Sequence, residues 1–318
     1  MKNKVQKLIK YYRNLWGNFG IVVTLLDFSE KSFRHINSRI YKFFHFKHHE
    51  YVKKYLKKNY KSIIEKYKNK EDIVTNNISS NSNIWVFWWQ GLNDAPEIVK
   101  ICINNMKKYV KNRKICILTK ENYKKYADIP DYIIEKLENE KITITAFSDI
   151  LRMQLLYQNG GIWIDATVLL TDDIDKRIEE YPFYSIKHDL YSDYHVCKGM
   201  WSGFFLASGK NNTIVQFFRD MYFEYFKYND YIITYFLIDC IMAVGYEEID
   251  FIKEIINKIP KNNVNVFSGR EKILLEYNLD NLKEFKQNNL YKLSYKENYI
   301  EKDNNTIYKY LVEEKNVT

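Results

Sequence analysis

The sequence has only four cysteines, and their spacing matches no metal or redox motif. Cys102, Cys116, Cys197 and Cys240 lie far apart and form no Cys-x-x-Cys pair. This pattern favours buried free thiols over a disulfide framework or a zinc site. It therefore predicts a protein of the reducing cytoplasm.

Long hydrophobic runs are also absent from the sequence. No uninterrupted run of about 18 apolar residues occurs, so we expect no transmembrane helix. The apolar stretch at residues 20–26 is too short to cross a bilayer. Residues 1–10 have no apolar core behind their charges, which argues against a signal peptide.

The chain divides by charge into a basic N-terminal segment, residues 1–75, and a remainder, residues 76–318. Residues 1–70 contain 18 Lys and Arg against four Asp and Glu, a net charge of +14 in a chain of net charge +9. The polar stretch at residues 71–83 is typical of a linker. The length of 318 residues and a hydrophobic content of 46% suffice for one large globular domain with an appendage.

The N-terminal segment is predicted to be helical. Apolar residues at helical spacing (Val5, Leu8, Ile9, Tyr12, Leu15 and Trp16) predict an amphipathic helix. Aromatic residues interleaved with basic ones suit a membrane surface with anionic lipids. The alternative is a solvated helical hairpin packed on the main domain. No nucleic-acid-binding motif is present. The histidines (His35, His45, His48 and His49) show no trusted metal-ligand spacing, so we expect them on the solvated surface.

From residue 84 onward, strands and helices alternate. The apolar stretch 84–91 predicts a strand that ends at a turn, 95–109 a helix, 114–119 a second strand, and 121–137 further short helices. Strand and helix alternating with short turns predict an α/β fold with a parallel, doubly wound half-sheet.

Residues 147–167 are the stretch around which the remainder is organised. Ser148 is a suitable N-cap, with Asp149 in the first turn of a helix. Residues 159–161, Asn-Gly-Gly, can end that helix, and residues 162–164 predict a central strand. Asp149 and Arg152 share one helix face because they are three residues apart.

Asp165 follows this central strand. Open α/β sheets bind their ligands beyond the carboxyl ends of the strands. A carboxylate there suits a hard divalent cation, which in turn would bind a diphosphate. The alternative is that Asp149 and Arg152 form a surface ion pair and that Asp165 begins a turn. The three residues together in one compact helix-strand unit favour a functional site.

These residues carry a family resemblance. Asp149-x-x-Arg152 followed by Gly160-Gly161-x-x-x-Asp165 resembles the signature of the sugar-binding, DXD-containing glycosyltransferases, and the form Phe-Ser-Asp-Ile-Leu-Arg with Gly-Gly-Ile-Trp-Ile-Asp-Ala-Thr resembles their capsular polysaccharide synthesis branch. The resemblance implies a GT-A-like, Rossmann-like nucleotide-sugar-binding fold. It also implies Mn²⁺ or Mg²⁺, although Thr167 stands where the wider family has its second Asp.

The same resemblance assigns residues to a donor site. The strand end with Trp88, Trp89 and Gln90 is similar to the segment that lies against the donor base, whereas Trp85 is expected in the core. Residues 290–296 resemble the C-terminal segment that closes over the diphosphate in related enzymes; the alternative is an ordinary surface strand with alternating lysines. The resemblance implies Ser294 as a metal ligand beside Asp165 and Thr167, and Lys292 or Lys296 as the charge that neutralises the leaving group. The full donor set is Trp88, Trp89, Gln90, Gly160, Gly161, Asp149, Arg152, Ser294, Lys292 and Lys296.

On the acceptor side, the resemblance points to Trp201 and Ser202 at the start of a strand predicted at residues 201–207. Asp239 lies in an otherwise apolar helical stretch, where a buried carboxylate needs a partner. Two roles are open for Asp239: a contact to the acceptor, or a hydrogen bond in the core.

Together these features predict a glycosyltransferase with Asp149, Arg152 and Asp165 at its centre. The expected partners are a nucleotide-sugar donor and a glycan or lipid-linked glycan acceptor, at the inner face of a bacterial membrane. The resemblance implies retention of anomeric configuration, and no protein nucleophile is evident. Two alternatives are a toxin-like transferase that glycosylates a protein, and a non-enzymatic adaptor for membranes or polyanions with a degenerate site.

Overall fold

The structure is a computed structural model, and it describes residues 2–191, 193–299 and 305–317. Four helices come first: α1 (Lys2–Phe19), α2 (Ile21–Phe33), α3 (Ser38–Asn59) and α4 (Lys61–Lys68). The strands are β1 (Ile84–Phe87), β2 (Ile115–Leu118), β3 (Gly161–Ile164), β4 (Val168–Leu170), β5 (Phe183–Ser185), β6 (Phe205–Ser208) and β7 (Leu290–Lys292). The later helices are α5 (Glu97–Tyr109), α6 (Asp131–Glu138), α7 (Ile144–Asn159), α8 (Thr213–Tyr228), α9 (Leu237–Glu248), α10 (Asp250–Lys258), α11 (Gly269–Lys272), α12 (Leu279–Phe285) and α13 (Ile307–Val317).

A five-stranded sheet in the order β2-β1-β3-β6-β5 forms the centre of the fold. Strand β1 runs parallel to both neighbours, β2 and β3, while β6 is antiparallel to β3 and to β5. The prediction of an α/β fold with a parallel half-sheet is confirmed for β1, β2 and β3. Strands β4 and β7 form a separate antiparallel pair. The parallel strands β1 and β3 therefore end at the same edge of the sheet, where ligands bind in open α/β folds.

Helix α7 begins earlier than the sequence predicts. Its N-cap is Thr143, whose Oγ1 accepts the Ala146 N–H at 3.1 Å, so Ser148 is not the cap. Ser148 is an acceptable cap by residue type, but burial of Ala146 and Phe147 in the core favours the earlier start and extends the helix by about a turn. Asp149 consequently lies beyond the first turn, although it still shares a face with Arg152.

Two glycines end helix α7, as predicted. Gly160 and Gly161 have φ values of 68° and 105°, a region that favours glycine. A Cβ on Gly160 would stand 2.7 Å from the backbone nitrogen of Lys210, and one on Gly161 would meet the carbonyl oxygen of Asn83. Glycine at both positions therefore allows a sharp turn and close packing between backbone segments.

Helices α3 and α4 of the basic segment pack on the rest of the protein. Lys57 and Lys68 each contact Glu248 at 2.7 Å, and the Tyr67 hydroxyl donates to Asp220 at 2.7 Å. Buried residues of these helices belong to one continuous hydrophobic core with the sheet. Packing on the main domain, as in the hairpin alternative, is therefore observed for α3 and α4. The predicted boundary at residue 75 coincides with a change in composition. That residues 1–75 and 76–318 are separate domains stays a prediction.

The surface location predicted for the histidines is wrong for three of the four. His45, His48 and His49 are buried at 0%, 1% and 1% exposure between α2 and its neighbours, whereas His35 is exposed. Hydrogen bonds to the Glu30 carboxylate satisfy one nitrogen of His45 and one of His48 in this buried position. Among the described residues, no helix is both long enough and apolar enough to cross a membrane.

Candidate active site

Helix α7 and strand β3 bring Asp149, Arg152 and Asp165 together. One guanidinium nitrogen of Arg152 lies 3.2 Å from Asp149 Oδ1, and the other lies 3.2 Å from Asp165 Oδ1. The guanidinium also stacks over the Trp163 ring at 4.8 Å. The Arg152 side chain is only 6% exposed and that of Asp149 13%, so they do not form a surface ion pair.

Asp165 accepts hydrogen bonds on both oxygens. The Trp163 indole N–H donates to Oδ1 at 2.9 Å, and the Lys292 ammonium donates to Oδ2 at 2.8 Å. The same ammonium donates to Thr167 Oγ1 at 2.7 Å. Lys292 reaches this place because β7 pairs with β4, with Lys292 directly opposite Val168. The site thus joins residues 127 positions apart in the chain.

The carboxyl groups of this site differ in acidity. Burial would raise the pKa of Asp165, but Lys292 and Arg152 outweigh it and lower that pKa to about 2. Burial, reinforced by the charge of Asp165 and only partly offset by Arg152, raises the pKa of Asp149 to about 6. Asp165 is therefore firmly ionised, while Asp149 changes charge near neutral pH.

The three acceptor-side residues lie below the surface. Trp201 is 2% exposed, and its indole N–H donates to Asp239 Oδ1 at 2.9 Å. Burial raises the pKa of Asp239 to about 7. Ser202 donates its hydroxyl to the Ile186 carbonyl at 3.0 Å. The core hydrogen bond left open for Asp239 is present, with Trp201 as its partner, and an acceptor role for these residues stays a prediction.

A small cleft opens beside Asp149. It has a volume of about 190 Å³, and its lining residues are Thr143, Thr145, Ala146, Asp149, Tyr222, Ile232, Thr234, Tyr235 and Leu237. Tyr222 is buried near the Asp149 carboxylate, and Tyr235 is 66% exposed at the rim. The cleft offers hydroxyl groups and one carboxyl, which are the groups that bind sugars by hydrogen bonds.

At the end of β1, Trp88 meets the C-terminal segment. The Trp88 and Tyr295 rings make an edge-on contact, with centroids 5.4 Å apart. The Trp88 Nε1 atom is buried, and no acceptor for it lies among the residues that the structure describes. A buried donor without an acceptor is rare in folded proteins, so this indole is suited to a ligand. Trp89 instead packs against Tyr123 and Phe147, and Gln90 is exposed.

The remaining predicted donor residues have no described contact with Arg152 or Asp165. Ser294 Oγ accepts the Lys296 N–H within its own turn at 3.2 Å, and Lys296 is exposed beside Tyr295. Gly160 and Gly161 lie at the start of β3, the opposite end from Asp165. Trp85 is in the core, as expected, with its N–H donated to the Gly160 carbonyl at 2.8 Å.

The predicted metal ligands, Asp165, Thr167 and Ser294, do not fit a divalent cation in this arrangement. Mg²⁺ and Mn²⁺ need unengaged oxygen ligands, chiefly carboxylates. The one carboxylate of the set is bonded to both Arg152 and Lys292, and Lys292 also bonds Thr167. The set therefore offers no unengaged carboxylate oxygen for a metal ion.

Sequence reasoning did not single out three contributors to the site. The Trp163 N–H on Asp165, the buried Tyr222 beside Asp149 and the Tyr295 ring against Trp88 all come from the fold. Tyr295 had a signal, since it is the aromatic residue of the C-terminal motif that supplied Lys292. Tyr222, on helix α8, had none.

Comparison with known proteins gives one family and one distant structure. No curated protein matches the chain. The solved structure "PaToxG Glycosyltransferase" aligns over 76% of this chain and 95% of its own, with 15% identity and a TM-score of 0.38, too low to establish a common fold. A family model described as "Capsular polysaccharide synthesis protein" matches residues 33–311.

Proposed function

The chain belongs to the family of capsular polysaccharide synthesis proteins, and from this we propose that it is a GT-A-like glycosyltransferase. It transfers a sugar from a nucleotide-diphosphate sugar, a UDP-sugar in the first instance, to a growing lipid-linked surface glycan. The observation that carries the proposal is the convergence of Arg152 and Lys292 on Asp165 at the carboxyl edge of parallel strands.

The donor is assigned to this edge in three parts. The diphosphate lies against the cations of Arg152 and Lys292, which present N–H donors at a fixed spacing. The base lies against the Trp88 and Tyr295 rings, where the Trp88 indole N–H, which has no acceptor among the described residues, can donate to it. The sugar enters the cleft beside Asp149, which holds it by hydrogen bonds and so fixes the geometry of attack.

The chemistry follows from these charges. As the bond between the anomeric carbon and the diphosphate oxygen breaks, positive charge develops on the sugar and negative charge on the leaving group. Arg152 and Lys292 stabilise the leaving group because both side chains are already oriented. Asp149 and Asp165 orient Arg152. Asp165 and Thr167 orient Lys292. Retention of configuration is part of the proposal through the family resemblance, and no side chain is assigned as nucleophile or base.

We propose that Lys292 supplies the positive charge that a divalent cation would otherwise supply to the leaving group. Its ammonium bonds the same two oxygens, Asp165 Oδ2 and Thr167 Oγ1, to which the sequence assigned the metal. Threonine at position 167 accords with this, because a neutral hydroxyl can accept from an ammonium yet adds no charge to attract a metal ion.

Calorimetry with a panel of UDP- and GDP-sugars tests the donor site and the metal together. We expect wild type to bind one donor equally with EDTA and with Mn²⁺, and Lys292→Met to weaken that binding by at least about tenfold through loss of a charge-assisted hydrogen bond. Lys283→Met, an exposed lysine on α12, is the matched control and should bind as wild type does.

Each other outcome has a definite meaning. Binding that requires Mn²⁺ would restore the metal at Asp165 and contradict the role given to Lys292. Binding of no donor would contradict the enzyme and favour the adaptor. A transfer assay with lipid-linked glycan and with protein acceptors separates the capsular function from that of a protein-glycosylating transferase.

A membrane surface is proposed for the N-terminal helices. Helices α1 and α2 expose large apolar side chains within the most basic part of the chain: Val5, Leu8, Ile9, Trp16, Ile21, Val22, Leu25 and Phe28 are 46–61% exposed. Contiguous exposed apolar residues mark interaction surfaces, and neighbouring lysines favour anionic lipids. This placement at the inner membrane face would bring the site to a lipid-linked acceptor.

Vesicle sedimentation tests this surface. We expect wild type to sediment with anionic phosphatidylglycerol vesicles, less with neutral ones, and a Leu8→Ser, Ile9→Ser, Leu25→Ser variant to lose most binding because it loses apolar area. Leu279→Ser removes a leucine that is 79% exposed on α12 and should leave binding unchanged. Equal sedimentation of all three proteins would contradict the proposed surface.

A further inference from the structure

A second cluster of ionisable side chains lies far from Asp165 in sequence, between helices α2 and α3. Glu30 Oε1 is 3.0 Å from His45 Nδ1, and Glu30 Oε2 is 2.7 Å from His48 Nδ1. The His45 and His49 rings have centroids 4.3 Å apart. Glu30, His45 and His49 each offer one ligand atom within 4.8 Å of the others.

The cluster is buried, and several of its nitrogens have no partner. Glu30 is 4% exposed, His45 0% and His49 1%. Among the described residues, no hydrogen-bond partner exists for His45 Nε2, His48 Nε2 or His49 Nδ1. Unpaired buried polar atoms are costly, and three in one cluster require an explanation.

The hydrogen bonds decide which ring nitrogens are available to a metal ion. His45 and His48 each donate an Nδ1 hydrogen to a Glu30 oxygen, so the nitrogen with a lone pair is Nε2 in both rings. Both of these Nε2 atoms are among the buried nitrogens without a described partner. Imidazole nitrogen and carboxylate oxygen are typical ligands of Zn²⁺.

The spacing on α3 also fits. His45 and His49 are four residues apart, so they project from one helix face, as paired histidine ligands do in helical zinc sites. Glu30 comes from the neighbouring helix α2, and His195 lies against the same group, its ring centroid 5.0 Å from that of His45.

We propose that Glu30, His45 and His49 bind a divalent transition-metal ion, Zn²⁺ by its ligand chemistry, as a structural site. His48 donates to the second Glu30 oxygen and orients that carboxylate. The site ties α2, with its exposed apolar face, to α3, which packs on α9. It is independent of the proposed transferase chemistry.

Metal analysis of the full chain tests the site. After dialysis against EDTA and reloading with Zn²⁺, wild type should hold about one tightly bound zinc per chain, and Zn²⁺ should raise its Tm by several degrees. His49→Gln and Glu30→Gln should lose the zinc and the shift. His35→Gln, an exposed histidine of the same segment, should retain both. The same zinc measurement on Asp165→Ala shows whether any of the bound zinc lies at the transferase site.

Co²⁺ substitution in wild type provides a second measurement should a buried variant fail to fold. We expect visible ligand-field absorption with intensity typical of four- or five-coordinate Co²⁺, abolished by competing Zn²⁺. Wild type that takes up neither Zn²⁺ nor Co²⁺ would overturn the proposal, as would equal zinc binding by wild type and His49→Gln. The cluster would then be a hydrogen-bonded core.

Discussion

Asp165→Ala is expected to lower sugar transfer by at least about 100-fold, the effect of misplacing groups that stabilise a transition state. Asp165 is the shared anchor of two cations, with Arg152 at 3.2 Å and Lys292 at 2.8 Å. Without it, neither cation is held at the spacing that a diphosphate requires. The measurement is turnover with the donor identified by calorimetry, at saturating donor.

Two further variants make this result specific. Asp165→Asn keeps the shape but not the charge and should be nearly as inactive, because a neutral amide cannot orient two cations. Asp172→Asn, an exposed carboxylate in the turn after β4, should retain full turnover. Both Asp165 variants should still sediment with anionic vesicles. Full activity of Asp165→Ala would remove this edge of the sheet from consideration as the active site.

Arg152→Met is expected to have the largest effect on stability, about 3–5 kcal/mol, because it removes the cation paired with the buried Asp149 and one of the two paired with Asp165. Arg152 is 6% exposed and contacts both Asp149 and Asp165. The loss should be measured by denaturant unfolding monitored by circular dichroism. Arg177→Met breaks an exposed pair with Asp175 and should unfold as wild type does.

The Arg152 effect has a predicted pH dependence. Burial already raises the pKa of Asp149 to about 6, above its ordinary value, and removal of Arg152 raises it further. A carboxyl whose pKa is raised in the folded state binds its proton more tightly there, so stability falls as pH rises through that range. Arg152→Met should therefore be less stable near pH 8 than near pH 5, and Asp149→Asn in the same chain should restore part of the difference. A loss independent of pH would point to lost packing instead.

The sequence predicts the local part of the site well. Asp149 and Arg152 share a helix face, Gly160 and Gly161 end that helix, and Asp165 ends the next strand, all within 17 residues. Each of these features depends on helix periodicity, glycine backbone freedom and strand length, which short segments reveal. The start of α7 was misplaced because Thr143 and Ser148 are both acceptable caps, and only tertiary burial of Phe147 decides between them.

Long-range contacts were accessible only through family resemblance or not at all. Lys292 was named from a C-terminal motif, yet its bond to Thr167 as well as Asp165 requires the β4–β7 register. Tyr222 reaches Asp149 from α8, a contact without any local pattern. The histidines show most clearly what local sequence does not reveal. The spacing of His45 and His49 is visible in the sequence. Glu30, 15 residues before His45, becomes a neighbour only through the packing of α2 on α3.

The pairing of β7 with β4 has a consequence for the order in which the protein is made. All five strands of the central sheet come from residues 84–208, whereas Lys292 lies in β7, after the last of them in the chain. A polypeptide that terminates before residue 290 carries Asp149, Arg152 and Asp165 but lacks the second cation. During synthesis, the proposed donor site is completed only after β7 has been made, so products that stop before β7 are expected to be unable to consume donor.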